Sequence, residues 1–354
     1  MKKNLISLFL VLTLLLCGCE LQAPVETTAE TRNGGEVRSD TLTVHFIDVG
    51  QADCALIEWG DFEVLIDGGN KEDGQLVISY LQQQGVEYLD AVICTHAHED
   101  HVGGLPSVLA VYPTAKVYAP TKTYSSNIFD DFLYYVDQQG LEVTIPEPGD
   151  RLEASDAVVL SFLGPVQSYA ETNDTSIVVK LEYGETSFLF TGDMETAAEN
   201  DMLDYWGNQV NWNVDVLKVG HHGSDTSSGY RFVYETDPEY AIISCGEGNS
   251  YGHPHESVTS RYRDAGIPMF RTDELGHIIA TSDGHEIAIT WENQNAAPSD
   301  VESGELARYI GNKNSKKLHI ETCSSLPKEE NRVIFDSYDE AIEEGYTPCS
   351  SCMG

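Results

Sequence analysis

The feature that most constrains this fold is a cluster of histidines and acids directly after a predicted buried strand. Residues 90–94 predict the strand, and the loop after it carries His96, His98, Asp100 and His101. Imidazoles and carboxylates at this density are poor core residues unless they share a cation. The alternating spacing directs His96 and His98 to one cation and Asp100 and His101 to a neighbouring one. The loop therefore predicts a two-cation site, and a solvated histidine-rich loop is the alternative.

Two later segments carry the same residue types at the ends of predicted strands. Asp193 ends a Thr-Gly-Asp sequence after a strand at 186–190, and His221 and His222 follow a strand at 214–219. Each segment alone is weak evidence, because Thr-Gly-Asp is a common turn and histidine pairs are common on surfaces. Since loops at the carboxyl ends of strands converge on one crevice, the three loops together predict one metal-binding cleft.

Residues 41–292 alternate predicted strands with a few predicted helices. Residues 41–49, 54–59 and 62–66 are typical of an antiparallel meander, and residues 75–84 and 255–264 have helical spacing. The remaining predicted strands are at 89–95, 158–162, 176–183, 186–190, 214–219, 240–244, 269–271, 276–281 and 286–290. Two similar halves of this kind predict an α/β fold with two facing sheets and helices on both outer faces.

In the order of its motifs the chain resembles the metallo-β-lactamase superfamily. Residues 45–53, 65–69 and 215–224 resemble the hydrolase domain of the ComEC family of bacterial DNA-uptake proteins and its stand-alone relatives, and residues 251–255 and 271–273 continue the likeness. The resemblance spans about residues 41–291. It implies a four-layer αββα sandwich with a dinuclear metal centre, followed here by a small C-terminal zinc-binding domain.

The resemblance also implies ligands for two divalent cations, zinc or manganese: His96 and His98 for the first, Asp100 and His101 for the second, and Asp193 as a bridge. One histidine of the pair His221 and His222 would complete the second site, and His222 is favoured.

The first cation site departs from the family pattern. Many members carry a further histidine between the first motif and Thr-Gly-Asp, and residues 102–192 contain none. Asn173 and Asp174 lie in this stretch and would be poor substitutes as ligands. We therefore expect the first cation to be held weakly, which leaves open whether its occupancy or metal identity differs from that of zinc enzymes.

Other polar residues are expected to shape the pocket around the cations: Asp48, Gln51, Asp53, Asp67 and Lys218. Asp67 is expected to orient a ligand histidine rather than to bind metal itself. His253 and His255, together with Asp100 and His222, are the candidate catalytic residues. For His253 and His255 the roles are donation of a proton to the leaving group or contact with a phosphate. Capping of the following helix, or a bond to backbone, explains these two histidines equally well.

The N-terminus predicts export and lipidation. Lys2 and Lys3 precede an uncharged apolar run at 5–16, which is typical of a secretory signal. Residues 16–19 resemble a bacterial lipobox, so Cys19 is the expected lipidated residue after removal of the signal peptide 1–19. An uncleaved membrane anchor or an ordinary cleaved signal is the alternative. Residues 20–40 predict a flexible spacer, which would place residues 41–292 outside the cytoplasmic membrane.

The C-terminal unit, residues 306–354, follows a polar linker at 293–305 and carries a second set of metal ligands. His319 and Cys323, then Cys349 and Cys352, have the paired spacing of a closed tetrahedral zinc site. The segment resembles the metal-binding module of the Ada repair protein, in which all four ligands are cysteines. A histidine at the first position argues against methyl-phosphotriester repair and favours a structural zinc. Disulfide pairing is the alternative, although three cysteines cannot all pair.

Charge narrows the classes of function. The formal net charge of −38 gives an acidic surface that repels nucleic acid and anionic lipid, so any polyanionic substrate must be captured locally. The ComEC-like motifs favour a phosphodiesterase acting on DNA or another nucleic acid. A phosphoesterase of wall polymers, or another hydrolase of this fold, is the first alternative. A non-catalytic surface module that binds metal or nucleic acid is the second.

Overall fold

A computed structural model of the chain describes residues 41–299, 309–320, 323–335 and 338–353. The predicted signal peptide, Cys19 and the spacer 20–40 lie outside the described residues, as do residues 300–305 of the predicted linker. Within the described ranges, no helix combines the length and apolar character needed to cross a bilayer.

The large domain contains the predicted strands, with further strands between them. The strands are β1 (Leu42–Phe46), β2 (Ala55–Trp59), β3 (Phe62–Ile66), β4 (Ala91–Ile93), β5 (Val117–Tyr118), β6 (Val143–Thr144), β7 (Arg151–Glu153), β8 (Val158–Gly164), β9 (Val178–Tyr183), β10 (Thr186–Phe190), β11 (Val216–Lys218), β12 (Tyr240–Ile243), β13 (Met269–Arg271), β14 (Ile278–Ser282) and β15 (Ile287–Trp291). The helices are α1 (Gly74–Gln84), α2 (Glu99–Val102), α3 (Leu105–Leu109), α4 (Asn127–Gln138), α5 (Thr196–Trp206), α6 (Tyr230–Thr236), α7 (Glu256–Asp264) and α8 (Thr272–Leu275).

These strands form two sheets, each with an antiparallel and a parallel part. The first sheet has the order β15-β14-β1-β2-β3-β4-β5-β6, and the second has the order β13-β12-β11-β10-β9-β8-β7. The meander β1-β2-β3 is antiparallel as predicted, and β3 to β6 run parallel. In the second sheet, β10 to β13 run parallel. The loops after β4, β10 and β11 therefore begin at the carboxyl ends of parallel strands, where binding loops gather.

Apolar residues fill three layers between four layers of secondary structure. Val64 and Ile66 belong to the core between the two sheets, whereas Leu65 belongs to the core under α1, α3 and α4. This alternation is expected because successive side chains of a strand point to opposite faces. A third core lies between the second sheet and α5, α6 and α7. The predicted αββα sandwich is thus confirmed.

Gly103 and Gly104 let the first histidine-rich loop pack closely against the loop after β3. A Cβ atom on Gly104 would lie 2.1 Å from the carbonyl oxygen of Gly68, and one on Gly103 would lie 2.4 Å from the backbone nitrogen of Lys71. Any larger residue would separate the two loops. The two glycines therefore fix the position of α2, which carries Asp100 and His101.

The C-terminal unit is a small four-stranded sheet with one helix. Its strands are β16 (Tyr309–Asn312), β17 (Lys317–His319), β18 (Arg332–Phe335) and β19 (Thr347–Pro348), in the order β18-β16-β17-β19, and its helix is α9 (Tyr338–Glu343). Its core also contacts Tyr230 and Tyr234 of α6. The rings of Tyr234 and Tyr309 meet edge to face at 5.9 Å, so the unit packs on the large domain.

Candidate metal centre

The loop after β4 places its histidines and its acid on both sides of a tight turn into α2. His98 precedes the helix in an extended conformation, and Asp100 and His101 lie in the first turn. The Nε2 atom of His96 lies 3.1 Å from Nδ1 of His98. The ring of His96 also lies 4.1 Å from that of His101, against 4.8 Å from that of His98, so the imidazoles of this loop contact one another on both sides of the turn.

Four side chains from the three loops meet in one compact group. The ligand atoms of Asp100, His101, Asp193 and His222 all lie within 4.8 Å of one another. Nε2 of His101 is 3.2 Å from Oδ1 of Asp193, and Nε2 of His222 is 3.4 Å from Oδ2 of Asp100. Four ligand atoms at this spacing suit a single divalent cation.

Two more imidazoles lie near the other oxygen of Asp193, Oδ2, which is also 3.6 Å from Nε2 of His222. Nε2 of His96 and Nε2 of His221 each lie 3.8 Å from Oδ2 of Asp193. The side-chain amide nitrogen of Asn173 is 3.5 Å from Nε2 of His221. Asp193 therefore stands between two groups of ligands. His222 faces the group of Asp100 and His101, and His221 faces the side of His96.

The backbone at the histidine pair explains why neighbouring residues point to different groups. His221 (φ 49°, ψ 44°) and His222 (φ 53°, ψ 22°) both adopt the left-handed conformation. An extended backbone would send the two side chains to opposite faces of the strand, whereas this turn brings both rings to the cleft. The N–H of His221 donates to the carbonyl oxygen of Gly192, which joins this loop to the one that carries Asp193.

Asp67 holds His101 from behind, as its predicted orienting role requires. Its carboxylate accepts from the N–H and the hydroxyl of Thr95 at 2.8 and 2.7 Å. Nδ1 of His101 lies 2.8 Å from the same carboxylate. A proton on Nδ1 directed at Asp67 leaves the Nε2 lone pair of His101 free to face the cleft.

His222 is held by a carbonyl oxygen and by a buried ion pair. Its Nδ1 lies 3.0 Å from the carbonyl oxygen of Ser244 and 3.2 Å from Asp53. Asp53 in turn contacts the Lys218 ammonium at 2.7 Å, and both side chains are more than nine-tenths buried. Lys218 thus neutralises a carboxylate directly behind a candidate ligand.

The close packing of charges shifts the pKa values throughout the group. Burial raises the pKa of Asp53, but the Lys218 ammonium and His222 outweigh it, so the net pKa is well below the usual range. Burial likewise raises the pKa of Asp193, but His101 and His222 outweigh it and hold the pKa well below normal. Burial and the neighbouring His101 lower the pKa of His96. The carboxylates are therefore ionised, the state that cation binding requires.

Buried ligand atoms without a hydrogen bond provide the test of whether cations fit here. Among the described residues, Nε2 of His101, Oδ1 of Asp193 and Nε2 of His222 are buried and lack a hydrogen-bond partner. Buried polar atoms are normally satisfied, so three orphans in one group indicate a missing partner. A divalent cation would satisfy all three, and the residues fit it.

Three residues singled out in the sequence lie in other roles. The carboxylate of Asp48 accepts from the N–H of Gly50, so it shapes a turn rather than the cation pocket. Asp174 accepts from the N–H of Glu195, which removes it as a substitute ligand. Nδ1 of His255 accepts from the N–H of Asp225 at 2.9 Å, so this histidine stabilises the loop rather than facing the cleft.

Gln51 and His253 lie together beside the cation group. The side-chain oxygen of Gln51 accepts from the N–H of Gly246, which turns its amide nitrogen toward Nδ1 of His253 at 3.3 Å. Because that nitrogen can only donate, Nδ1 of His253 is the acceptor and the proton of the neutral ring lies on Nε2. The ring of His253 is 5.5 Å from that of His221 and 6.3 Å from that of His222.

Sequence reasoning missed several residues that support the centre. The Ser176 hydroxyl accepts from the N–H of Asp193 at 3.0 Å, and Glu195 lies 3.4 Å from Nδ1 of His221. Glu195 follows Asp193 by two residues, a spacing that could have drawn attention to it. Tyr124 and Tyr251 carry rings beside His98 and His253. A single tyrosine in a loop has no sequence signature that would have identified it.

The C-terminal unit gathers its four predicted ligands into a second group. The ligand atoms of His319, Cys323, Cys349 and Cys352 lie within 4.8 Å of one another. Nδ1 of His319 is 3.3 Å from Sγ of Cys323, and the three cysteines form no disulfide. One nitrogen and three sulfurs in this arrangement fit a closed zinc site.

Cys54, Cys94 and Cys245 of the large domain are free, buried thiols, and burial raises the pKa of each. They are therefore inert core thiols.

Curated relatives match the large domain. Over 204 residues the chain is 32% identical to ComE operon protein 3 of Bacillus subtilis, covering 58% of this chain and 26% of that protein. Over 234 residues it is 30% identical to Competence protein ComA of Neisseria gonorrhoeae, covering 65% of this chain and 30% of that protein. The chain thus spans between a quarter and a third of the length of these relatives.

Among solved structures, the metallo-beta-lactamase fold protein YhfI from Bacillus subtilis is similar, with a TM-score of 0.48 and 14% identity, covering 69% of this chain and 100% of that one. Residues 306–353 match the family described as the metal binding domain of Ada. Residues 47–247 match the family described as the metallo-beta-lactamase superfamily. Since that match covers more than half of the chain, the chain belongs to the metallo-beta-lactamase superfamily.

Proposed function

We propose that this protein is a metal-dependent phosphodiesterase that cleaves DNA or another nucleic acid outside the cytoplasmic membrane. The observation that carries the proposal is the group of Asp100, His101, Asp193 and His222, whose ligand atoms lie within 4.8 Å, with further imidazoles on the other side of Asp193. The location rests on the predicted signal peptide and on Cys19 as a lipid anchor.

We assign the ligands by the side of Asp193 that they face. Asp100, His101, Asp193 and His222 would hold one cation. His96, His98 and His221, with Asp193 as the bridge, would hold the other. Divalent cations in such a site activate water and offset negative charge on a phosphoryl group.

The protein's own residues prepare the site before substrate arrives. Asp67 keeps the proton of His101 on Nδ1, and the carbonyl oxygen of Ser244 does the same for His222. Both Nε2 lone pairs then face the cleft. The Lys218 ammonium holds Asp53 in place behind His222.

His253 is the proposed hydrogen-bond donor to the leaving group. The Gln51 amide donates to its Nδ1, so the proton is on Nε2. Because the ring lies beside both His221 and His222, its Nε2–H is suited to donate a hydrogen bond to the oxygen that departs from a phosphate held in the cleft, and that oxygen takes its proton from solvent.

The proposed substrate class rests on the names of two relatives and on one absent histidine. Relatives at 30% identity or more carry the names Competence protein ComA and Recombination protein 2, the latter from Haemophilus influenzae. The absence of the middle histidine disfavours lactam and thioester chemistry. Against DNA stands the formal net charge of −38, which cations in the cleft would have to offset locally.

The proposal is tested by purifying residues 41–354, counting bound metals, and assaying three substrates side by side: bis(p-nitrophenyl) phosphate, linear DNA and a chromogenic lactam. We expect cleavage of the first two. Cleavage of the lactam alone would overturn the assignment. Full metal loading with no activity on any substrate would favour the non-catalytic binding module, and cleavage of a wall-polymer phosphodiester instead of DNA would favour the alternative substrate.

Asp193→Ala is expected to remove metal and activity together, because both ligand groups share this carboxylate. We expect activity to fall by more than about 100-fold, beyond what loss of a supporting residue causes. Metal content by mass spectrometry and turnover of bis(p-nitrophenyl) phosphate provide the measurement. Asp201→Ala, which removes an acid that accepts from Gln167 and Tyr169, is the matched control. A variant of Asp193 that kept both metal and turnover would refute the bridging role.

A further inference from the structure

A tyrosine stands exposed on a rigid loop beside the metal centre. Tyr251 has 67% of its surface exposed, although large apolar side chains are usually covered. The side-chain oxygen of Asn249 accepts from the N–H groups of Tyr251 and His253. The amide nitrogen of Asn249 donates to the carbonyl oxygens of Gly246 and His253. Asn249 therefore fixes the loop, and the ring of Tyr251 is not needed to hold it.

The ring of Tyr251 continues a line of near-parallel rings that leads to the candidate ligands. Tyr251 and His253 are stacked with centroids 5.6 Å apart and planes 24° apart. His253 and His222 are 6.3 Å apart, also at 24°. The ring of Tyr251 thus contacts His253 on one face, and His253 lies between Tyr251 and the candidate ligand His222.

A second aromatic ring lies beside another candidate ligand. Tyr124 lies 6.4 Å from His98, edge on, and is partly buried against Phe129. The exposed ring of Tyr251 is the one that can accept a planar group on its face.

The charges around the centre favour recognition by stacking. Glu99 and Asp225 are exposed near the ligands, and Glu195 is partly exposed. Among the described residues, the lysine that ion-pairs within the centre is Lys218, which is buried and committed to Asp53. The ammonium group nearest the candidate ligands is therefore not available to a substrate phosphate. Stacking of a base on an aromatic ring does not depend on net charge, and every base has a face to offer.

We infer that Tyr251 forms a subsite that stacks an unpaired nucleobase next to the phosphate in the metal centre. The inference rests on the proposed function and narrows its substrate to single-stranded or frayed nucleic acid, because base pairs in a duplex keep both faces covered by their neighbours.

The experiment measures binding separately from cleavage. The metal-loaded full chain in detergent is titrated into fluorescein-labelled phosphorothioate decathymidylate, which resists hydrolysis, and into the abasic oligomer of the same length. Fluorescence anisotropy gives the two affinities. We expect the base-bearing oligomer to bind between about 5-fold and about 100-fold more tightly. Tyr251→Ala is expected to remove this preference, and Tyr251→Phe to keep it.

Tyr205→Ala is the matched control, because Tyr205 is 53% exposed and lies on α5, away from the rings of Tyr251, His253 and His222. It should keep the preference for bases. The inference is overturned if the unaltered protein binds both oligomers alike or binds neither, or if Tyr251→Ala keeps the preference. Cleavage of unmodified oligomers tests the proposed function separately: a base preference without cleavage would retain the stacking subsite and reject the nuclease.

Discussion

At the scale of single residues, the most unusual feature is a lysine buried behind the metal centre. Lys218 and Asp53 are both more than nine-tenths buried, and Asp53 also contacts His222. Burial of an ion pair is costly, and loss of one partner leaves the other charge uncompensated. The position of the pair suggests that it serves the geometry of the centre more than the stability of the fold.

Lys218→Met should destabilise the protein by about 3–5 kcal/mol, because the carboxylate of Asp53 loses its buried partner. Metal affinity should fall as well, since Asp53 would no longer be held beside His222. Unfolding by denaturant and metal titration are the measurements.

The control for this variant is Lys180→Met. Lys180 is also buried, and it pairs with Glu182 away from the centre. It should lose stability without losing metal affinity. Equal metal affinity in the two variants would show that Lys218 has only a structural role.

At the scale of elements, α5 anchors the loop that carries the histidine pair. The buried carboxylate of Glu199 accepts from the N–H groups of Ser228 and Gly229 at 2.6 and 2.9 Å. Arg261 of α7 donates to the carbonyl oxygens of Ser227 and Ser228. Two helices therefore hold the segment between the ligands and α6. Burial raises the pKa of Glu199 to about 8, although these N–H groups and Arg261 act in the opposite direction.

Because of this pKa, the contribution of Glu199 to the stability of the folded protein depends on pH. The folded protein holds a proton on Glu199 that the unfolded chain releases above about pH 4.5, so stability falls as pH rises from about 4.5 to 8. Glu199→Gln cannot ionise and should lack this contribution. We expect the melting temperature of the unaltered protein, relative to Glu199→Gln, to decline between pH 5 and pH 9. Parallel melting curves across that range would contradict the assignment.

At the scale of the whole molecule, the C-terminal unit packs on α6, the helix that follows His221 and His222. Tyr230 and Tyr234 of α6 contact its core, and Arg261 lies 4.9 Å over the ring of Tyr230. The contact is aromatic and local, while the metal centre draws its ligands from the three loops of the large domain. The two metal groups therefore share no ligand.

Cys349→Ser should remove about one equivalent of zinc and expose the C-terminal unit to proteolysis, since a unit this small depends on its metal. The metals of the large domain should remain. Metal analysis and limited proteolysis provide the measurement, with Cys245→Ser as the control, because Cys245 is a buried thiol outside the zinc group. Loss of all metals in Cys349→Ser would show that the two groups are coupled.

Much of this architecture follows from local sequence, and the failures have physical causes. The meander and the ligand loops were predicted because strand alternation and histidine spacing are local signals. Helix α5 was not predicted, since its buried face includes the charged Glu199 beside Met202 and Leu203. The separate positions of His221 and His222 were also beyond prediction, because they depend on backbone angles rather than on residue type.

The left-handed backbone at His221 and His222 also determines which substitutions this loop tolerates. Branched side chains are strained in that conformation by about 1–2 kcal/mol per residue, whereas glycine and asparagine adopt it readily. A substitution at either position can therefore remove the imidazole with or without disturbing the turn. Substitution of either histidine by asparagine or glycine would remove the ligand and keep the loop conformation. Substitution by valine or isoleucine would remove the ligand and also destabilise the loop.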